Sequence, residues 1–285
     1  MKEPSISVLI NTRNEEANIR LCLESAGPAD EIIVVDMESE DRTVEIAREY
    51  TNKVYSHEKL GYADPARAFA LSKATGDWVL ILDADELATP GLWKAIREIA
   101  SKDRADVAII PFRTWMFGRE LLGGGWGPGQ DTHPRFFRRA TNILSERVHL
   151  MFEIPPEARI ERITDLGACI VHFNYLDLEH FLEKSNRYTT IEAQNAYEGK
   201  KAGLPHFRDA LAKAVKEFTR RYLVKKGYRD GSTGFLLAFL QAGYYLSAWH
   251  KEDTMRRYGR LEARSAITAS YETEKRRIVA EAERE

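Results

Sequence analysis

Gly76-Asp77-Trp78-Val79-Leu80-Ile81-Leu82-Asp83-Ala84-Asp85-Glu86 is the stretch on which the fold turns. Its five apolar residues, Trp78 to Leu82, are too few for a helix and suit a buried parallel strand. The run stops on two carboxylates, Asp83 and Asp85. Alternation along extended backbone points both to one side, where hard oxygen ligands can share one divalent cation. The carboxyl end of a parallel strand is also where open α/β sheets bind ligands. A solvated strand-to-helix turn, with Asp85 or Glu86 near a helix N-terminus, fits the same residues.

Upstream of this stretch the chain repeats one rhythm. Ile6 to Ile10 reads as a strand, and Asn11 to Glu16 as a polar loop opening a helix with Asn14 as its N-cap. Ile19, Leu21, Cys22 and Leu23 supply that helix's apolar positions, and Gly27-Pro28 stops it. Glu31 to Val35 is a second buried strand ending at Asp36. An acidic turn then leads into a helix from Thr43 to Tyr50. Lys53 to Tyr55 is a third strand, and Ala66 to Ala74 a helix. This β-α-β-α-β-α-β order predicts a parallel, doubly wound sheet. No G-x-G-x-x-G follows the first strand, which argues against a Rossmann dinucleotide site. The strand ends instead carry Thr12, Arg13, Glu15, Asp36, Asp83 and Asp85, a row able to hold a nucleotide by ribose and base hydrogen bonds.

The 285 residues allow one large or two small domains. A hydrophobic share of 44% and a charged share of 30% are those of a globular protein, and a net charge of −2 does not suggest nucleic acid. From Leu176 onward there are 21 Lys and Arg against 16 Asp and Glu, and before it 21 against 28. This asymmetry predicts a boundary between regions 1–175 and 176–285. Cys22 and Cys169 lie far apart without metal spacing and read as small core hydrophobes in a reducing compartment. The N-terminal segment reads as a first strand, not a signal peptide.

Ile6 to Glu16, Val34 to Thr43 and Leu82-Asp83-Ala84-Asp85-Glu86 together resemble the family 2 glycosyltransferases. The resemblance implies a GT-A fold, a UDP-sugar donor, a Mn2+ or Mg2+ ion, and inversion at the anomeric carbon. Gly124-Gly125-Trp126, Arg135 to Arg139, Val148-His149, Ile170-Val171-His172, Arg187-Tyr188-Thr189 and Lys226 to Gly231 are similar to the lipopolysaccharide inner-core β-glucosyltransferase branch. That branch implies a saccharide or glycolipid acceptor and a cytoplasmic location at the inner face of a membrane.

Sugar transfer needs a stabilised diphosphate leaving group and a base for the acceptor hydroxyl. By resemblance, Asp85 is the first metal ligand, and Asp83 addresses the ribose or a metal-bound water. His172 is either a further metal ligand or a core histidine. Asp36 faces the nucleobase, or Asp36 or Ser39 caps a helix, and Thr12, Arg13, Glu15 and Ala84 line the nucleotide site. Arg67 is placed to meet the diphosphate, since a guanidinium matches phosphate oxygens bidentately. Two departures stand out: Ala68 replaces an Asn, and Glu38 and Glu40 replace a Gly and a Thr. The base is Glu153, His149 or Asp131, with Glu146 also in range. Relatives carry His-Glu where this chain has His149-Leu150, and a three-residue shift favours Glu153. Gly123 to Gly129 excludes regular structure and suits an acceptor lid bearing Trp126 as a stacking platform, or a plain connection.

Beyond Leu178 the periodicity is helical. Phe207 to Lys226 sets Phe207, Leu211, Val215, Phe218 and Tyr222 on one face and seven cations on another. This describes either a helix on an anionic membrane surface or a solvated face packed on the rest of the protein. Gly231 to His250 has no charged side chain over twenty residues. Its serines, glutamine and glycines favour a buried or interfacial helix over a transmembrane one. Arg256 to Glu285 reads as an exposed or homo-oligomer-forming helix. A nucleotidyltransferase is a competing enzyme class, disfavoured by the missing Gly-rich, Lys-containing loop. A non-catalytic nucleotide-sugar binder and a membrane-surface scaffold are the non-enzymatic alternatives.

Overall fold

β1 (Ile6–Thr12) is buried along its whole length. It pairs in parallel with β2 (Glu31–Asp36) on one side and β4 (Trp78–Asp83) on the other. β3 (Val54–Ser56) extends the sheet beyond β2. Three helices cross over between these strands: α1 (Ile19–Ser25), α2 (Thr43–Arg48) and α3 (Asp64–Lys73). The computed structural model describes residues 3–58, 64–144, 152–200, 202–203, 206–259 and 261–282. The chain divides into two units, Met1–Leu176 and Asp177–Glu285.

After β4 come β5 (Glu86–Ala88) and α4 (Pro90–Ser101), then β6 (Val107–Met116) and β7 (Arg119–Glu120). β8 (Thr132–Arg138), β9 (Ile160–Arg162) and β10 (Ile170–Phe173) complete the sheet. Its order is β3-β2-β1-β4-β8-β6-β10-β5, with β7 and β9 also paired to β6. β8 runs antiparallel to both β4 and β6, and β10 is parallel to β6. This is a mostly parallel GT-A sheet with a helical region after it.

Both faces of the sheet are covered, which is why its strands read as continuous apolar runs. Val8, Ile10, Leu80 and Leu82 pack toward α1, α2 and α4, while Leu9, Val79 and Ile81 pack toward α3. α4 begins where Thr89 Oγ1 accepts the Leu92 amide at 3.2 Å, with Pro90 at the first helical position. Gly76 is required at the entry to β4, because a Cβ there would meet Ser7 Oγ at 2.6 Å. Glu31 ties the same corner together, accepting from Ser7 Oγ, Lys53 Nζ, and the Thr75 amide and hydroxyl.

The second unit contains α5 (Leu178–Tyr197), α6 (Phe207–Thr219), α7 (Gly231–Tyr258) and α8 (Arg264–Ala282). Five residues of π-helix, Arg220–Val224, follow α6. The apolar stripe of α6 is only partly covered. Ala210, Ala214 and Glu217 are buried, whereas Phe207, Leu211 and Val215 are 52%, 44% and 58% exposed. The stripe meets α7 through Phe207 on Trp249 and through the half-buried Phe218 and Tyr222 on Phe235. Among the described residues, no helix is long and apolar enough to cross a membrane. Gly231 to His250 forms most of α7, and α8 has no buried residue.

Candidate active site

Parallel register brings the strand ends into one row. Thr12 lies opposite Asp36, Asn11 opposite Asp83, and Asp36 opposite Ser56. The loops after β1 and β2 then clasp each other. The Asn14 amide donates to Ser39 Oγ and Asn14 Oδ1 accepts the Glu40 amide, both at 2.8 Å. The Glu15 amide donates to Thr43 Oγ1 at 2.8 Å, and the Glu16 amide to Asp41 Oδ2 at 3.1 Å. Asn14 therefore does not cap α1, whose N-cap is Asn18 without a side-chain bond. It sits at φ +53°, a left-handed geometry that asparagine tolerates. Glu38 is also left-handed, at φ +59°, a geometry that glycine adopts without steric cost. Glu38 and Glu40 are both exposed, and Glu40 Oε1 stands 3.9 Å from Arg13 Nη2 at the edge of the row.

Within this clasp three buried polar atoms have no hydrogen-bond partner among the described residues: Thr12 Oγ1, Arg13 Nε and Asp36 Oδ1. The other oxygen of Asp36 accepts the Ser39 amide at 3.0 Å. Neither Asp36 nor Ser39 caps α2, whose N-cap is Arg42, and the Ser39 bond uses half of the Asp36 carboxylate. Glu15 is half-buried and its Oε2 accepts from Asn18 Nδ2 at 2.7 Å.

The Asp83-Ala84-Asp85 segment departs from the strand reading. β4 ends at Asp83, and Ala84 and Asp85 form a turn into β5, so strand alternation does not align the two carboxylates. Each has its own partners. Asp83 accepts from Arg67 Nη2 at 2.6 Å and from Arg135 Nη2 at 3.1 Å, with 27% of its side chain still exposed. Burial pushes its pKa up, but the two guanidiniums outweigh burial and hold it well below the carboxylate range. Arg67, expected at the diphosphate, is turned onto Asp83 instead. Ala84 packs in the core, so only its backbone can touch a ligand.

Asp85 Oδ2 lies 3.4 Å from His172 Nε2. Burial pulls the His172 pKa down, but the bond to Asp85 and the charges of Glu86 and Asp83 carry it above its usual value. His172 is register-paired with Glu86, so β10 and β5 deliver it to the end of β4. Of the two readings held for His172, the core-histidine one required a backbone partner; the contact found is a carboxylate.

Glu86 and Arg135 are the site residues that sequence reasoning missed. Glu86 is buried and accepts from Arg135 Nη2 at 3.0 Å and from the Asp83 amide at 2.8 Å. Burial raises its pKa, and Arg135 opposes that. The signal was available: three carboxylates within four residues at a buried strand end require a counter-charge. Arg135 supplies it, seated 5.5 Å over the Phe112 ring. Cys22 and Cys169 are both buried, and Cys22 Sγ donates to the Asp83 carbonyl at 3.5 Å.

The glycine-rich segment is wound, not loose. The Trp126 and Gly127 amides both donate to the Gly123 carbonyl at 3.1 Å, and the Gly125 amide to Gln130 Oε1 at 3.0 Å. A Cβ at Gly127 would lie 2.4 Å from the Leu122 carbonyl oxygen. Trp126 is half-buried on this platform. Asp131 follows, with its Oδ1 2.8 Å from His133 Nε2. Glu153 is exposed, its amide bonded to the Ile143 carbonyl at 2.7 Å. His149 and Glu146 lie outside the described residues.

Asp85 and His172 suit a hard divalent cation in donor type, one carboxylate oxygen and one imidazole nitrogen. Among the described residues no third His, Cys, Asp or Glu joins them.

The model for "Glycosyl transferase family 2" matches residues 7–153. The lipopolysaccharide core biosynthesis glycosyltransferase LpsC of Rhizobium meliloti is 29% identical, over 84% of this chain and 88% of its own. An uncharacterized glycosyltransferase of Rickettsia typhi is 29% identical over 81% and 80%. Among solved structures, S. aureus TarS 1–349 in complex with UDP-GlcNAc is 18% identical, covers 90% of this chain and 92% of its own, and has a TM-score of 0.48.

Proposed function

The chain belongs to glycosyl transferase family 2, and on that premise we propose that it transfers a hexose, with inversion, from a UDP-sugar to a saccharide or glycolipid hydroxyl. The observation that carries the donor half is the set of three orphaned buried atoms at the ends of β1 and β2. An imide-type base edge presents one N–H between two carbonyls. Asp36 Oδ1 can accept that N–H, while Thr12 Oγ1 and Arg13 Nε can donate to carbonyls. Leaving such atoms buried without a ligand costs roughly 1–3 kcal/mol each, so a bound base recovers what the empty site loses.

Asp83, fixed by two guanidiniums, is the ribose contact. Asp85 and His172 would hold Mn2+ or Mg2+, an ion that would supply positive charge to a diphosphate leaving group. Trp126 offers a ring for the acceptor sugar to stack on. The kinship with LpsC supports a lipopolysaccharide-core acceptor. The helical unit supports peripheral docking on an anionic membrane, since the exposed Phe207, Leu211 and Val215 stripe is flanked by exposed Arg208 and Lys216. Leu211→Glu should weaken co-sedimentation with phosphatidylglycerol vesicles, and equal binding to neutral vesicles would refute that docking mode.

The deciding experiment is a thermal-shift and UDP-release screen of UDP-, GDP- and dTDP-sugars with Mn2+. A UDP-sugar should raise the melting temperature and release UDP, and Asp36→Ala should weaken UDP binding by about 10- to 100-fold. Absence of UDP release from every sugar donor would refute the assignment.

A further inference from the structure

We propose that the helical unit holds a saccharide site of its own, in a cavity between α5, α6 and α7. The cavity has a volume of about 310 Å³, at the small end of ligand pockets and of a size to take a sugar ring. It is open because the helices face each other there through short side chains, Ala193 and Ala196 on α5 and Ala248 on α7. Tyr244, Ala248 and Glu252 recur at four-residue spacing, and so do Tyr245 and Trp249. One face of α7 therefore supplies all five to the cavity.

The aromatic walls are half-buried and braced. The Tyr244 and Tyr245 rings stand 6.0 Å apart at 77° and so form a corner, while Trp249 is met by Phe207 at 5.3 Å and 61°. The polar groups are held as firmly. Tyr244 Oη donates to Glu192 Oε2 at 2.8 Å. Burial and that bond push the phenol's pKa up, so it keeps its proton. Glu252 is only 5% exposed, and its Oε1 accepts both Arg256 bonds, at 2.9 and 2.7 Å. Its Oε2 accepts no bond from the described residues. Gly203 packs against this carboxylate, since a Cβ there would lie 2.2 Å from Oε1 and 2.4 Å from Oε2. A buried carboxylate oxygen without a donor, in the wall of a cavity, loses hydrogen bonding that a ligand hydroxyl restores.

The charges select the class of ligand. Arg256 neutralises Glu252, and the exposed Lys213 in the same wall balances Glu192. Walls of balanced charge favour neither a phosphate nor an ammonium ion. A neutral pyranose fits them: its C–H faces lie on aromatic rings and its hydroxyls donate to carboxylates in charge-assisted bonds. Every lining residue named belongs to the unit Asp177–Glu285, so the site stands independently of the transfer reaction.

The test uses the full chain, with methyl glucoside, methyl galactoside, methyl N-acetylglucosaminide and lipopolysaccharide core oligosaccharide as probes. Saturation-transfer NMR should detect at least one of them on wild type, with or without UDP and Mn2+. Glu252→Gln should weaken that binding by about 10- to 100-fold, the worth of one hydrogen bond to a charged group. Ala248→Leu, which fills the cavity and touches no ion pair, should abolish it, and circular dichroism checks that both variants keep their helices. A diazirine derivative of the bound probe should label the peptide from Tyr244 to Glu252 in wild type, a readout that needs no variant. Labelling confined to residues before Asp177, or binding unchanged in both variants, overturns the site. So does wild type that binds none of the probes, and UDP release from a sugar donor would then still uphold the transfer reading.

Discussion

Asp83 and Asp85 stand two residues apart, and replacing each with asparagine should have opposite consequences. Asp83 neutralises Arg67 and Arg135, each with a side chain only 6% exposed. Removing one partner of a buried ion pair costs roughly 3–5 kcal/mol. Asp83 is partly exposed and Arg135 keeps Glu86, so the low end applies, about 3 kcal/mol. With urea m-values of roughly 1–3 kcal/mol/M, the unfolding midpoint should fall by about 1 M or more. Among the described residues the Asp85 carboxylate meets a single partner, an imidazole at 3.4 Å, which is long for a hydrogen bond. Asp85→Asn should therefore cost less stability than Asp83→Asn. Calorimetric titration with UDP, with and without Mn2+, under conditions where both variants are folded, then separates their roles. Asp83→Asn should weaken binding by the same factor in both titrations, whereas Asp85→Asn should abolish the strengthening by Mn2+. Equal midpoints for the two variants, or an undiminished Mn2+ effect in Asp85→Asn, would refute this division.

Two further outcomes follow from the fold. Lys53, Ser7 and Thr75 outweigh burial to hold the Glu31 carboxyl at about 2 against an ordinary 4.5. A carboxyl depressed on folding stabilises above its unfolded value, so this contribution is present above pH 4.5 and lost as pH falls toward 2. At about 1.4 kcal/mol per unit it is worth on the order of 3 kcal/mol. Denaturation from pH 6 down should show a steeper loss for wild type than for Glu31→Gln, and parallel curves would contradict the assignment. Gly127→Ala should force the platform open against the Leu122 carbonyl. UDP affinity should survive and transfer to acceptor should fall, so a variant with normal transfer would show that the winding of this segment is immaterial.

The two asparagine variants differ for the same reason that parts of the site were illegible in the sequence. Runs such as Trp78 to Leu82 announce themselves because a strand covered on both faces must be apolar throughout. The polar residues that end those runs, Thr12, Asp36 and Asp83, are legible too, since only strand ends tolerate them. On α6, periodicity reports that one face is apolar, not how much of that face is covered. There Ala210 and Ala214 are buried while Phe207, Leu211 and Val215 stay exposed.

What the sequence by itself determined is the order of strands and crossovers, and with it the row of polar ends. Hydrophobic period and chain reversal are local quantities, readable within a dozen residues. What only the tertiary structure decided is which charge meets which. Arg67 reaches Asp83 across 16 residues and Arg135 reaches it across 52. His172 and Glu86 are neighbours only because β10 and β5 pair, and Phe112 joins His133 to His172 only because β6 lies between β8 and β10. Electrostatic partnership depends on distance in space, and spacing along the chain does not report it.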